Sequence, residues 1–84
     1  MYNISEQIGT WQQKLAYYEN KEMYIKQLIT NAENLRERVN QLPVGSPKID
    51  RYYRRLNSLY TQLATLPAKM RHCRDNISTL QCEL

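Results

Sequence analysis

The sequence predicts an all-α fold, an antiparallel hairpin of two long, coiled-coil-like helices, and three observations lead to this prediction. From residue 49 onward, apolar side chains recur at alternating steps of three and four residues, as in a heptad helix. The 84 residues include only two glycines and three prolines, and helix-breaking residues cluster only at 43–47. No segment sustains the period-two alternation of a β-strand.

The second half of the chain predicts a helix over residues about 47–83. Ser46 followed by Pro47 is a typical N-cap and first-turn pair. The apolar stripe must be covered by another helix, because a lone stripe in water gains nothing from folding. We call this stripe the seam, and it comprises Ile49, Tyr52, Leu56, Leu59, Leu63, Leu66, Met70, Cys73, Ile77 and Leu80. The same spacing continues to Leu84.

The first half of the chain predicts a helix over residues about 3–42. Asn3 and Glu6 have the spacing of a capping box. The heptad rhythm falters at Glu22, where we expect either an ion pair with Lys26 four residues later or a polar residue that specifies the register. It resumes in a different phase, a three-residue offset that indicates local overwinding. The apolar positions before and after the offset are Ile4, Ile8, Trp11, Leu15 and Tyr18, then Ile25, Leu28, Ala32, Leu35, Val39 and Leu42.

Residues 43–46 predict the turn between the two helices. Pro43 ends the first helix, and Gly45 supplies the conformational freedom for a reversal. So short a connection makes two long helices antiparallel neighbours. We therefore expect a single helical hairpin domain over residues 1–84.

Pro67 lies inside the second predicted helix. A proline in a helix interior removes a backbone hydrogen bond and costs about 3 kcal/mol or more. The helix is therefore either kinked or broken at Pro67. Because the seam runs past this residue without interruption, we favour a bent but continuous helix. The alternative is a three-helix bundle in which the segment after Pro67 folds back.

A row of tyrosines predicts a second contact surface beside the seam. Two pairs are spaced seven residues apart, one in each helix, and tyrosine suits interfaces that are half apolar and half wet. The alternative is that these rings lean over the core and widen it. The predicted partner-binding residues are Tyr17, Tyr24, Ile29, Tyr53 and Tyr60.

The formal charge of +4 comes from the second half of the chain, since the first 42 residues are neutral. Basic residues gather near the turn, where Asp50 partly neutralises them. This basic patch is either a solvated face, a surface that steers an acidic protein, or a weaker candidate for nucleic-acid binding. It comprises Arg36, Arg38, Lys48, Arg51, Arg54 and Arg55.

Neither catalysis nor metal binding is indicated. Cys73 and Cys82 are nine residues apart, about 13 Å along a helix, which is too far for a disulfide within it. His72 and Cys73 point about 100° apart, and no further ligand is near in sequence. We expect no enzyme activity, no cofactor and no small-molecule substrate.

The sequence is thus most consistent with a non-enzymatic protein–protein interaction module. It would be a small helical adaptor or subunit that self-associates or joins a larger helical complex. The alternatives are a small chaperone for a helical filament or secretion subunit and a basic nucleic-acid-binding hairpin. Since no apolar stretch reaches the length of a membrane span and the N-terminus lacks a signal-peptide pattern, we expect an intracellular, cytoplasmic protein.

Overall fold

The computed structural model describes residues 3–84 and shows an all-α antiparallel hairpin, as the sequence predicts. The chain forms helix α1 over Ile4–Asn34, the short helix α2 over Arg36–Asn40 and helix α3 over Pro47–Cys82. α1 packs along α3, and the molecule measures 62 × 18 × 16 Å. Its core is therefore a single layer of side chains between two rods.

Side-chain caps begin both long helices. The Asn3 Oδ1 atom accepts the backbone N–H of Glu6 at 2.7 Å. At the start of α3 the Ser46 Oγ atom accepts the N–H of Lys48 at 3.4 Å, with Pro47 in the first turn. These bonds satisfy N–H groups that have no partner within the helix.

A tight turn reverses the chain between α2 and α3. The backbone N–H of Ser46 donates to the Pro43 carbonyl at 3.1 Å. Gly45 has a φ of 87°, a backbone conformation that residues other than glycine rarely adopt. A positive φ at the third residue is characteristic of a type II turn, so glycine is required at this position.

The first arm is not one helix over residues 3–42, and this corrects the prediction. α1 ends at Asn34, and α2 begins at Arg36. The Ala32 carbonyl, which would accept the N–H of Arg36 in a continuous helix, instead accepts the Tyr52 hydroxyl and the N–H of Leu35. A side chain that enters the hydrogen-bond ladder interrupts a helix in this way. At the interruption Leu35 is 47% exposed, although its spacing predicted a core position.

α3 continues through Pro67 to Cys82, so the segment after Pro67 does not fold back into a three-helix bundle. The Lys69 ammonium lies 5.8 Å from the Tyr18 ring centroid. The turn after Pro67 therefore lies beside the part of α1 where the heptad phase changes. There Glu22 Oε1 is 3.5 Å from Lys26 Nζ, the ion pair that the sequence predicted.

The seam of α3 faces α1. Leu56, Leu59, Leu66, Met70 and Cys73 are buried, and the other five seam positions are half-buried. Leu84 lies beyond the end of α3 and is exposed. The main hydrophobic cluster joins seam residues to α1 and consists of Ile25, Ile29, Leu56, Leu59, Leu66 and Met70.

Candidate functional site

The hairpin has two unlike flanks, which can be told apart by helical geometry. On α1, Tyr24 and Glu33 are nine residues apart, about two and a half turns, so their side chains point to opposite sides. Tyr60 of α3 donates its hydroxyl to the Glu33 carboxylate. Tyr60 and its neighbour one heptad earlier, Tyr53, therefore lie on one flank, which we call the clasp flank. We call the other the open flank. On α1 it carries Tyr17, Lys21, Tyr24 and Leu28, and Leu35 continues it just past the end of the helix.

The predicted partner-binding residues do not form one surface, which corrects the prediction. Tyr17 and Tyr24 lie on the open flank and are 59% and 64% exposed. Tyr53 and Tyr60 lie on the clasp flank. Ile29 is only 7% exposed and belongs to the hydrophobic core, so it offers no surface to a partner. The seven-residue spacing puts the two tyrosines of each helix on the same face of that helix. It does not determine which face of one helix lies beside which face of the other.

Three tyrosines of α3 bind the other arm near the turn. The Tyr52 hydroxyl donates to the Ala32 carbonyl, and the Tyr53 hydroxyl donates to Asn40 Oδ1 at 2.8 Å. Tyr60 donates to Glu33, and this hydrogen bond raises the pKa of the Tyr60 phenol. These contacts favour the structural interpretation for Tyr53 and Tyr60, whose hydroxyls are already satisfied within the chain.

The basic patch is divided by the fold. The nearby Tyr52 hydroxyl raises the pKa of the Arg36 guanidinium, with Glu33 adding to the effect. Arg38, Lys48, Arg51, Arg54 and Arg55 are all exposed. Of the six predicted residues, only Arg55 lines a cleft among those described below.

Two clefts between α1 and α3 open on the open flank. The first has a volume of about 240 Å³ and lies toward the free ends of the helices. The second, of about 320 Å³, lies toward the turn. The first is lined by Trp11, Lys14, Tyr18, Ala68, Lys69, His72 and Cys73, and the second by Leu28, Asn31, Ala32, Leu35, Tyr52 and Arg55.

Lysine ammonium groups lie over the aromatic rings along this flank. Lys14 Nζ is 5.1 Å from the Trp11 ring centroid, and Lys21 Nζ is 5.9 Å from that of Tyr17. Lys69 reaches across from α3 to Tyr18. These distances are within the range of cation–π contacts. The aromatic rings therefore hold the lysine ammonium groups on the surface of the open flank.

The open flank is positively charged along the clefts because three of the four acidic residues of α1 point elsewhere, and the fourth, Glu6, lies in the first turn of the helix, before Trp11. Glu33 lies about 180° around the helix from Tyr24, and Glu19 about 140°. Glu22 pairs with Lys26, which itself lies about 160° from Tyr24. Within residues 3–84, the basic side chains of the open flank have no ion pair. These are Lys14, Lys21, Arg55 and Lys69.

The cleft around Trp11 was not predicted from the sequence. The Trp11 ring meets the His72 ring edge-on, with centroids 5.4 Å apart and an interplanar angle of 83°. Lys14 follows Trp11 by three residues, and His72 follows Lys69 by three, so each pair shares a helix face. That signal existed in each arm, but only the register of the hairpin brings the two pairs together.

The reactive side chains of the hairpin are two cysteines and one histidine. Cys73 is buried at 1% exposure and Cys82 is exposed, and both are free thiols. The His72 ring contacts Trp11 and the side-chain amide of Asn76. Between residues 3 and 84, no three His, Cys, Asp or Glu side chains are grouped as they would be around a metal ion. Over the same range, no helix has both the length and the hydropathy of a membrane span.

Comparison of the chain with protein-family models, with curated protein sequences and with solved structures found no significant match.

Proposed function

We propose that this chain is a non-catalytic protein–protein interaction module, a small helical adaptor or subunit that joins a larger helical assembly. Recognition would be of the helix-in-groove type, in which apolar side chains of one helix fill the space between two others. The observation that carries the proposal is the open flank, where exposed tyrosines border two clefts that the chain leaves uncovered.

The thin core supports the need for a partner. Seam residues toward the turn and toward the free ends are half-buried, for example Ile49, Ile77 and Leu80. Chains of this length bury only about 60% of their unfolded surface even when globular, and two rods bury less. A third helix on the open flank would cover more apolar surface and add to the stability of the pair.

A chaperone for an aggregation-prone helical client would use the same surface. A chaperone differs from a subunit in that it releases its client, whereas a subunit stays bound. The open flank supports both roles equally, because each requires an uncovered apolar face that another helix can occupy.

A nucleic-acid-binding hairpin is the second candidate function. It is favoured by the exposed residues Lys48, Arg51 and Arg54 at the start of α3. Against it stands the state of the aromatic rings, because base stacking needs free ring faces and those of Trp11, Tyr17 and Tyr18 each lie under a lysine.

The proposal can be tested by light scattering of the full chain after co-purification with its native partners. We expect a stoichiometric complex, or a homo-oligomer, that is lost when Tyr17 and Tyr24 are both replaced by serine. Met23→Ser is the matched control, because Met23 is exposed on the same helix but about 100° from Tyr24. A lone 10.1 kDa chain under all conditions would contradict the proposal, as would equal effects of both substitutions.

A further inference from the structure

We infer that the open flank docks an acidic amphipathic helix supplied by a different polypeptide. This inference rests on the proposed function and specifies the partner. Apolar side chains of the docked helix occupy the two clefts, and its carboxylates lie against Lys14, Lys21 and Lys69. The surface, the charge and the exclusion of two other occupants each contribute to the inference.

The surface has the length and the shape of a helix-binding groove. Trp11 and Leu35, which line the two clefts, are 24 residues apart, roughly 36 Å along a helix. The clefts have apolar walls at both ends, provided by Ala68 and Cys73 in the first and Leu28 and Leu35 in the second. Exposed Tyr17 and Tyr24 border the intervening surface. A helix of about seven turns spans this distance with an apolar side chain at every third or fourth position.

The sign of the charge selects acidic partner side chains. Lys14, Lys21 and Lys69 lie over aromatic rings, which holds their ammonium groups along the edges of the groove. None of them has a carboxylate partner within the described part of the chain. Glutamates that flank the apolar row of a docked helix would supply those partners and would accelerate association by electrostatic steering.

A second copy of this chain does not satisfy the same conditions. A two-fold symmetric dimer places a surface against its own copy, so the lysines of one open flank would face those of the other. Like charges in such a contact oppose association. A head-to-tail contact would place the open flank against the clasp flank, where Glu33 is bonded to Tyr60 and Glu22 to Lys26, so that of Glu19, Glu22 and Glu33 only Glu19 is free to pair with the lysines. The partner is therefore a different chain.

A nucleic acid is also a poor occupant of this flank. Single strands bind by stacking bases on open aromatic faces, whereas Trp11, Tyr17 and Tyr18 each have a lysine ammonium within about 6 Å of the ring centroid, which a stacked base would have to displace from that face. The phosphates of a nucleic acid would contact the lysines but would not enter the apolar clefts. A docked helix uses both the lysines and the clefts, so it explains more features of this flank.

Trp11 provides a built-in probe because it is the only tryptophan and lines the first cleft. The full chain is titrated with a synthetic amphipathic helix of about 24 residues that carries leucine at heptad positions and glutamate beside them. A twin peptide carries lysine in place of every glutamate. We expect a saturable change in Trp11 emission with the acidic peptide, and binding at least ten times tighter than that of its twin.

Charge-reversed variants localise the binding. Lys14→Glu with Lys69→Glu reverses two charges on the open flank. Lys26→Glu with Arg71→Glu reverses two exposed charges that point away from it. Each substitution lowers the formal charge by two, so both double variants are neutral overall. We expect at least a tenfold loss of affinity for the acidic peptide in the first double variant and less than a threefold change in the second.

Four outcomes would overturn the inference. Equal binding of the acidic and lysine peptides would show that the partner need not be acidic, while the proposed function as an interaction module would still stand. Equal losses in the two double variants would show that net charge, rather than the open flank, governs binding. A single-stranded oligonucleotide that displaces the acidic peptide from Trp11 would assign the flank to nucleic acid. Absence of binding by either peptide, together with a chain that forms no complex with native partners, would overturn the proposed function as well.

Discussion

Tyr52 has two roles in the hairpin, because its ring belongs to the seam and its hydroxyl reaches the backbone of α1. The half-buried ring packs against the hydrophobic cluster. The hydroxyl donates to the Ala32 carbonyl. α1 therefore ends where a residue 20 positions away in sequence takes its hydrogen-bond acceptor.

Replacing Tyr52 with phenylalanine should let α1 run into α2. Without the hydroxyl, the Ala32 carbonyl is free to accept the Arg36 N–H, and one hydrogen bond replaces another. We expect the free energy of unfolding to change by no more than about 1 kcal/mol. Exchange of the Arg36 backbone amide with deuterium should slow. Unchanged or faster exchange at that amide would contradict this account of the interruption.

Tyr60 should contribute to stability in a pH-dependent manner. Its neutral phenol donates to the Glu33 carboxylate, so its pKa in the folded chain is raised above the ordinary value of 10.0. A raised pKa means that the contribution is fully present below about pH 10 and is lost as the pH rises through the folded-state value. Tyr60→Phe removes the contribution at every pH.

The test compares urea unfolding of the original chain and the Tyr60→Phe variant from pH 7 to pH 11. We expect a difference in stability that is constant up to about pH 10 and shrinks above it. Tyr24→Phe is the control, because the Tyr24 hydroxyl has no hydrogen-bond partner in residues 3–84 and should show no difference. A difference that persists unchanged at the alkaline end would refute the role of the Glu33 contact.

At the scale of the helices, α3 tolerates Pro67 because the seam on both sides of it is packed against α1. Leu66 and Met70 are buried on either side of the proline. Burial of such side chains contributes roughly 1.5–3 kcal/mol each, which offsets the cost of about 3 kcal/mol for an interior proline. The exposed position of Pro67 itself leaves the seam free of the ring.

Leu59→Asp should disrupt the hairpin. Leu59 is buried in the main cluster, so the substitution places an unpaired carboxylate among apolar side chains. We expect a loss of at least about 3 kcal/mol, a large part of the stability of a small domain. Ser58→Asp is the matched control, since Ser58 is the exposed neighbour on the same helix and should change stability by less than about 0.5 kcal/mol.

Circular dichroism melting curves measure both variants. The register of α3 is wrong if Leu59→Asp retains the helicity and the melting temperature of the original chain. It is equally wrong if Ser58→Asp proves as damaging.

Most of the helical architecture could be predicted because its signals are local. The Asn3 and Ser46 caps, the glycine turn and the heptad spacing each act within a few residues. The interruption at Leu35 could not be predicted in this way, because it depends on the Tyr52 hydroxyl. The assignment of tyrosines to opposite flanks also required the register between arms, which single-helix periodicity does not contain.

At the scale of the whole molecule, the hairpin separates two kinds of surface. On the clasp flank, the tyrosine hydroxyls have partners within the chain, since Tyr60 donates to Glu33 and Tyr53 to Asn40. On the open flank, exposed tyrosines and unpaired lysines border two clefts. The modest formal charge of +4 does not reveal this division, because it is an average over both flanks. A partner is therefore expected on one side of a rod 62 Å long and not around it.

Backbone amide chemical shifts of the full chain, recorded while the acidic helix is added, test this division most directly. Shifts should change along the open flank of α1, at Tyr17, Lys21, Tyr24 and Leu28, and across the cleft at Lys69. The amides of Tyr53 and Tyr60 on the clasp flank should stay within experimental error of their starting positions. Changes centred on Tyr53 and Tyr60, or spread evenly around both helices, would contradict the account.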